Sequence, residues 1–149
     1  MSGTLRHATC VEAEGCGILL RGPSGSGKSD LALRLIERGA LLVADDQVAL
    51  TAEEGAVWAS PPPELAGRME IRGVGIVSVR HAPRARVFLV CDLVAADAVP
   101  RLPEPAREEL LPGCFVTRLA LHAFEASAPA KLRHASAAAA LGAGSVSDS

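Results

Sequence analysis

The sequence predicts an α/β fold with a mixed sheet and antiparallel hairpins, and three observations carry that expectation. An apolar run, Cys16 to Arg21, leads into the octet Gly22-Pro23-Ser24-Gly25-Ser26-Gly27-Lys28-Ser29, and an amphipathic stretch follows at once. Leu41-Leu42-Val43-Ala44 is short and wholly apolar, the pattern of a strand covered on both faces, and it ends on Asp45-Asp46. Further on, apolar segments alternate with turn residues such as Glu53-Glu54-Gly55 at hairpin spacing.

Each element has its own reason. His7 to Glu12 and Cys16 to Arg21 read as two strands around a turn at Glu14-Gly15, the second delivering the chain into the glycine-rich octet. Ser29 to Arg38 carries Leu31, Leu35 and Ile36 at helical spacing, with Leu33 widening the apolar face and Gly39 placed to end the helix. Leu41 to Ala44 suits a buried parallel strand, with Asp45-Asp46 at its carboxyl end, the edge where open α/β sheets gather ligands. Val48 to Leu50 and Ala56 to Ala59 form a hairpin that Pro61-Pro62-Pro63 closes off. Ile71 to Val79 and Val87 to Val94 are further strands; Pro100 to Pro112 is a surface connection with a short helix at Ala106 to Leu111. Ala126 to Leu141 is alanine-rich and helical despite Pro129, and residues 142–149 are expected to be a disordered tail.

Composition narrows the function classes. A chain of 149 residues, 49% hydrophobic, forms one domain with a substantial core. A net charge of −2 argues against wholesale binding to nucleic acid or to a membrane, and the absence of tyrosine removes the stacking surface of single-strand binders. The four cysteines form no CxxC pair and read as reduced, mostly buried thiols. No apolar stretch is long enough to span a bilayer and no secretory h-region follows Met1, so a soluble cytoplasmic protein is expected.

The octet is a complete GxxxxGK[ST] phosphate-binding loop between strand and helix, the context that this motif requires. Its glycines let backbone N–H groups turn inward around phosphate oxygens, and the helix N-terminus adds positive partial charge. Lys28 is positioned for the β- and γ-phosphates of ATP and Ser29 for Mg²⁺. The chain has only one other lysine, Lys131, against many arginines, so a compact ammonium at position 28 is a selective choice. Asp45-Asp46 offers a second feature: two adjacent carboxylates near a phosphate loop divide metal holding from proton acceptance, unless they merely form an Asx turn or cap. In Met69-Glu70-Ile71-Arg72-Gly73-Val74-Gly75-Ile76, period-two geometry puts Glu70 and Arg72 on one face and Met69 and Ile71 on the other. Alone, that reads more readily as a surface ion pair on a strand than as a catalytic pair.

Taken together, His7 with Val11, the octet, Leu42-Val43-Ala44-Asp45-Asp46 and Glu70-Ile71-Arg72-Gly73-Val74-Gly75-Ile76 resemble the catalytic domain of HPr kinase/phosphorylase in order and approximate spacing. Phe124-Glu125-Ala126-Ser127-Ala128-Pro129-Ala130-Lys131-Leu132-Arg133 is similar to the carboxyl-terminal segment of the short alphaproteobacterial members. The resemblance implies an ATP- and Mg²⁺-dependent kinase acting on a serine of the phosphocarrier HPr, able to reverse that reaction with inorganic phosphate. It implies Asp45 as the base, His7 tuning or orienting Asp45, Ser29, Asp46 and Glu70 at Mg²⁺, and Arg72 holding phosphate. It further implies a homo-oligomer, hexameric in the family. The separate amino-terminal domain of longer members is expected to be missing, leaving residues 1–141 as the catalytic domain. Two rivals remain at this level: a small-metabolite kinase of the shikimate or gluconate type, and a nucleotide-sensing module without transfer activity.

Overall fold

Along Cys16–Arg21 every side chain but the last is buried, and alternate residues serve opposite cores: Ile18 and Leu20 one, Leu19 the other. The same alternation recurs along Ala85–Leu93, where Leu89 and Cys91 face one core and Val90 the opposite one. Period two thus makes these strands the middle layer of a sandwich.

The computed structural model describes residues 3–104 and 106–146. In chain order the elements are β1 (Thr4–Arg6), β2 (Thr9–Ala13), β3 (Cys16–Arg21), α1 (Lys28–Glu37), β4 (Leu41–Ala44), β5 (Val48–Glu53), β6 (Ala56–Ser60), β7 (Arg68–Ile71), β8 (Gly75–Ser78), β9 (Ala85–Leu93), β10 (Ala106–Leu111), β11 (Cys114–Leu121) and α2 (Ala128–Val146). A mixed nine-stranded sheet runs β1-β5-β6-β9-β3-β2-β4, and β11, with β10 beside it, also pairs with β9. The sheet forks at β9, whose first residues pair antiparallel with β6 and whose later ones pair parallel with β11. Helices α1 and α2 cover one face through Leu31, Leu35, Ile36, Ala128 and Leu132. The other face closes on Val48, Leu50, Val57, Leu110 and Val116, brought over by the curled hairpins β5-β6 and β10-β11.

The expected α/β architecture is present, with four local differences. Leu41–Ala44 is buried as expected but pairs antiparallel with β2, and among the described residues it meets a parallel neighbour only in the isolated bridge Leu42↔His81. Because β2 is itself antiparallel to β3, β4 still points the same way as β3, so its carboxyl end reaches the same sheet edge. Ile71 to Val79 is not one strand: the chain reverses between β7 and β8, with Gly73 at φ 88° and Gly75 at φ 120°. Ala106 to Leu111 is a strand, not a short helix; its burial alternates before two buried leucines, and Pro112-Gly113 turns it into β11, which sequence reading left unassigned. Finally, α2 runs through Val146, five residues into the expected tail, because the alanine run favours helix beyond Leu141; residues 147–149 lie outside the described residues. Pro129 sits in the first turn of α2, where its missing N–H costs no helical bond.

All four cysteines are buried and free. Burial pushes the Cys16 thiol up to about 11 and that of Cys91 up to about 12, and it raises Cys10 further still. These thiols are packing groups, not nucleophiles. At the end of β3, Arg21 forks onto two carboxylates, with Nε 2.9 Å from Asp92 Oδ1 and Nη1 2.7 Å from Glu108 Oε2. That bidentate guanidinium holds the Glu108 carboxyl below its usual range. Among the described residues, no helix is long and apolar enough to cross a membrane.

Candidate functional site

Strand β3 ends where the glycine-rich loop begins, and the loop's shape follows from its glycines. Gly25 and Gly27 have φ of 84° and 101°, and a Cβ on Gly22 would stand 2.5 Å from Ser26 Oγ. The loop closes through Ser26 N–H to the Pro23 carbonyl (3.0 Å), and α1 starts directly at Lys28. Lys28 is only 7% exposed, and its Nζ lies inside the curve of the loop, donating to the carbonyls of Gly22 (2.6 Å) and Pro23 (3.2 Å). Ser26 Oγ is buried and has no hydrogen-bond partner among the described residues.

The two aspartates at the end of β4 occupy different surroundings although they are sequence neighbours. Asp45 accepts from Ser29 Oγ (2.8 Å), from Thr9 Oγ1 (3.1 Å) and, on its other oxygen, from the backbone N–H of Glu70 (3.3 Å). Asp46 adopts φ 70°, a left-handed conformation that Asp tolerates, and this swings its carboxylate out to His7 Nε2 at 2.7 Å. His7 therefore meets Asp46, whereas the resemblance implied that it tunes or orients Asp45. It also lies in the bend between β1 and β2, not within a strand.

Ser24, Gly25, Gly27, Lys28, Ser29, Asp45, Asp46, Glu70, Arg72 and Phe124 all line one cavity of about 510 Å³, which also reaches Asp30, Leu33 and Ile71. Its volume lies within the usual range for small-molecule sites. Met69 is fully buried, as the period-two reading requires, while Glu70 is exposed. Arg72 falls in the β7-β8 turn, so alternation does not govern it, yet it still reaches the cavity. Ser29 and Asp45 present hard oxygen donors side by side, which fits Mg²⁺, a cation that takes one or two protein carboxylates and completes its shell with phosphate and water. Among the described residues, no group of three or more His, Cys, Asp or Glu side chains forms a cage for a metal.

Thr9 is the residue that sequence reading missed. It is fully buried, donates to Asp45, and accepts from the Asp46 backbone N–H at 3.2 Å. Its signal was positional: a hydroxyl at the start of β2, opposite Leu20 near the exit of β3, lies at the same sheet edge as the loop.

Strand β3, the glycine-rich loop and helix α1, with two carboxylates brought to the same edge at the end of β4 on the far side of β2, define a mixed α/β domain built around that loop. The chain belongs to the family described as the HPr serine kinase C-terminal domain, whose model matches residues 2–88. It is 49% identical over 74 residues to HPr kinase/phosphorylase of Streptococcus thermophilus, which covers 49% of this chain and 24% of that protein. It is 42% identical over 92 residues to HPr kinase/phosphorylase of Enterococcus faecalis, covering 59% of this chain and 30% of that one. The chain thus spans roughly a quarter to a third of the length of these curated relatives. In three dimensions it matches the HPr(Ser) kinase/phosphatase of Coxiella burnetii with a TM-score of 0.77 at 26% identity, over 88% of this chain and 87% of that one.

Proposed function

We propose that this domain transfers the γ-phosphoryl group of ATP to a serine of an HPr-like phosphocarrier and, with inorganic phosphate, removes it again. The observation that carries this reading is the separation of two adjacent carboxylates at one P-loop edge: Asp45 against the Ser29 hydroxyl, Asp46 against His7, both open to the same cavity. The names of the relatives supply the acceptor, and the site supplies the chemistry.

The geometry favours the reverse of the division of labour first expected. Asp45 and Ser29 would hold Mg²⁺, with Glu70 at the cavity wall able to add an oxygen, and the metal would neutralise charge on the phosphates. Asp46, exposed and paired with His7, accepts the proton as the serine Oγ bonds to the γ-phosphorus and the bond from that phosphorus to the β-bridging oxygen breaks. Lys28 and the loop N–H groups hold the leaving phosphates, and Arg72 holds the phosphoryl in transit. In reverse, an oxygen of inorganic phosphate bonds to the phosphoserine phosphorus, protonated Asp46 returns its proton to the departing serine oxygen, and pyrophosphate results.

A protein acceptor suits the rim better than a metabolite does. Val74 and Ile76, 71% and 72% exposed, project from the same hairpin that carries Glu70 and Arg72, and exposed apolar side chains beside a site favour contact with another macromolecule. The net charge of −2 argues against nucleic acid as that partner, and four free cysteines suit a reducing cytoplasm. We place the domain in a homo-oligomer, hexameric by resemblance to the family; exposed Leu5, Leu102 and Phe115 offer apolar contact surface.

Radiolabelled ATP with a panel of HPr-like phosphocarriers tests the forward reaction, with phosphoserine on one of them as the expected product. Phosphoserine-HPr with phosphate and Mg²⁺ tests the reverse, with pyrophosphate expected. Transfer to small hydroxylated metabolites alone would overturn the protein-kinase reading, and free phosphate in place of pyrophosphate would leave a one-way kinase.

A further inference from the structure

We propose that Phe124 is the platform on which the nucleobase of the bound nucleotide stacks, an inference that rests on the nucleotide reading of the P-loop cavity. Strands β3, β9 and β11 run parallel, so the loops that follow β3 and β11 leave the same sheet edge. The first is the phosphate loop; the second, residues 122–127, carries Phe124.

Sheet order fixes what lies on each side of the phosphate loop. Across the edge the order is β4, β2, β3, β9, β11. Asp45 and Asp46 leave β4 on one flank, and Phe124 follows β11 on the other. A triphosphate laid along the loop with its γ end toward the aspartates directs its α end, and the base beyond it, toward Phe124.

The ring is both held and open. Its edge lies over Gly27, where a Cβ would stand 3.0 Å from Cζ and 3.2 Å from Cε1. The His122 ring meets it edge-on, with centroids 5.8 Å apart, and is itself fixed by Nδ1–H donation to the Val94 carbonyl at 3.0 Å. From α1, Arg34 donates to the carbonyls of both Ala123 and Glu125, clamping the turn on either side of Phe124. Yet the side chain is 57% exposed and lines the cavity. A phenyl ring braced by its backbone and left open beside a nucleotide cavity is preorganised to cover an aromatic ligand, and every base offers a π-face to it.

Calorimetric titration with Mg-ATP and with Mg-tripolyphosphate, which has the same phosphate chain without a base, separates the platform from the phosphate site. Phe124→Ala should weaken ATP by about 5- to 150-fold, the loss expected for one base–aromatic stack. Tripolyphosphate binding should stay unchanged, which also reports that the loop remains folded. Phe124→Tyr should restore ATP affinity, whereas Phe124→Leu, apolar but not aromatic, should not. Equal weakening of both ligands by Phe124→Ala would mean that the ring only supports the loop at Gly27, and no weakening of ATP would place the base elsewhere; either result overturns the platform while leaving the nucleotide reading intact. Wild-type protein that binds neither ligand would overturn the nucleotide reading and the platform with it.

Discussion

Replacing Asp46 by Asn separates the tasks of the two carboxylates. The amide keeps the volume, tolerates the left-handed backbone at φ 70° and can still meet His7, but it cannot take a proton from serine. Asp45, bonded to Ser29, Thr9 and Glu70 N–H, is left in place, so Mg-ATP affinity should not change. Loss of a general base costs about 10²- to 10⁴-fold in rate, or about 3 to 5 kcal/mol of barrier, and the whole loss should fall on the transfer step. Single-turnover transfer at saturating nucleotide reads it directly. On the proposed mechanism His7 acts through Asp46, so His7→Ala should slow the wild-type enzyme but add little to Asp46→Asn, a coupling that a double-mutant cycle measures. The reasoning is refuted if Asp46→Asn transfers at the wild-type rate while Asp45→Asn loses the chemistry with its Mg²⁺ requirement unchanged.

Lys28→Ala removes the ammonium enclosed by the loop; charged hydrogen bonds of this kind contribute about 1.5 to 3 kcal/mol, so Mg-ATP should bind about 10- to 150-fold more weakly by calorimetry, and unchanged affinity would contradict the phosphate role. Arg21 holds the folded Glu108 carboxyl below its unfolded value of about 4.3, so the Glu108 contribution to stability is complete above that pH and is lost as pH falls through the folded value. Urea midpoints should therefore show Glu108→Gln destabilised at neutral pH, with its deficit against wild type shrinking in acid; a deficit that does not shrink would disprove the pairing. Light scattering at micromolar concentration should give an oligomer, and a monomer would count against the proposed assembly.

What the sequence made legible was whatever rests on local chemistry. The phosphate loop was readable because Gly25 and Gly27 need positive φ and because an apolar strand and an amphipathic helix flank it. The hairpin turn Glu14-Gly15 was readable for the same reason, since both residues adopt left-handed φ. What escaped was pairing at a distance. Burial of Leu41 to Ala44 on both faces looks identical for parallel and antiparallel neighbours, so the apolar pattern could not show that β2 intervenes between β3 and β4. Ala106 to Leu111 carries three charges in a row, and only its cross-strand partners, with Glu108 beneath Arg21 and Arg118, make it a strand. The contact of His7 was beyond any one-dimensional reading, because it depends on which way a single peptide at Asp46 is turned.

That turned peptide explains how two adjacent residues meet distinct partners. In an extended strand Asp45 and Asp46 would point to opposite faces, one of them into the packed core side of the sheet. Strand β4 instead ends at Ala44, and the chain leaves it through Asp45 and a left-handed Asp46, with Gln47 N–H returning to the Asp45 carbonyl at 2.8 Å. Both carboxylates then open into the same cavity, but on different partners. Thr9 locks the arrangement: one hydroxyl donates to the Asp45 side chain and accepts from the Asp46 backbone, so neither aspartate can move without disturbing the other. A Thr9→Val side chain would keep the shape and lose both bonds, leaving the Asp46 N–H without that partner and the Asp45 carboxylate one donor short. On the proposed division of roles, the fully buried hydroxyl positions both the metal-holding and the proton-accepting carboxylate, and it reaches the site only because the antiparallel hairpin β2-β3 returns the start of β2 to the edge where the glycine-rich loop begins.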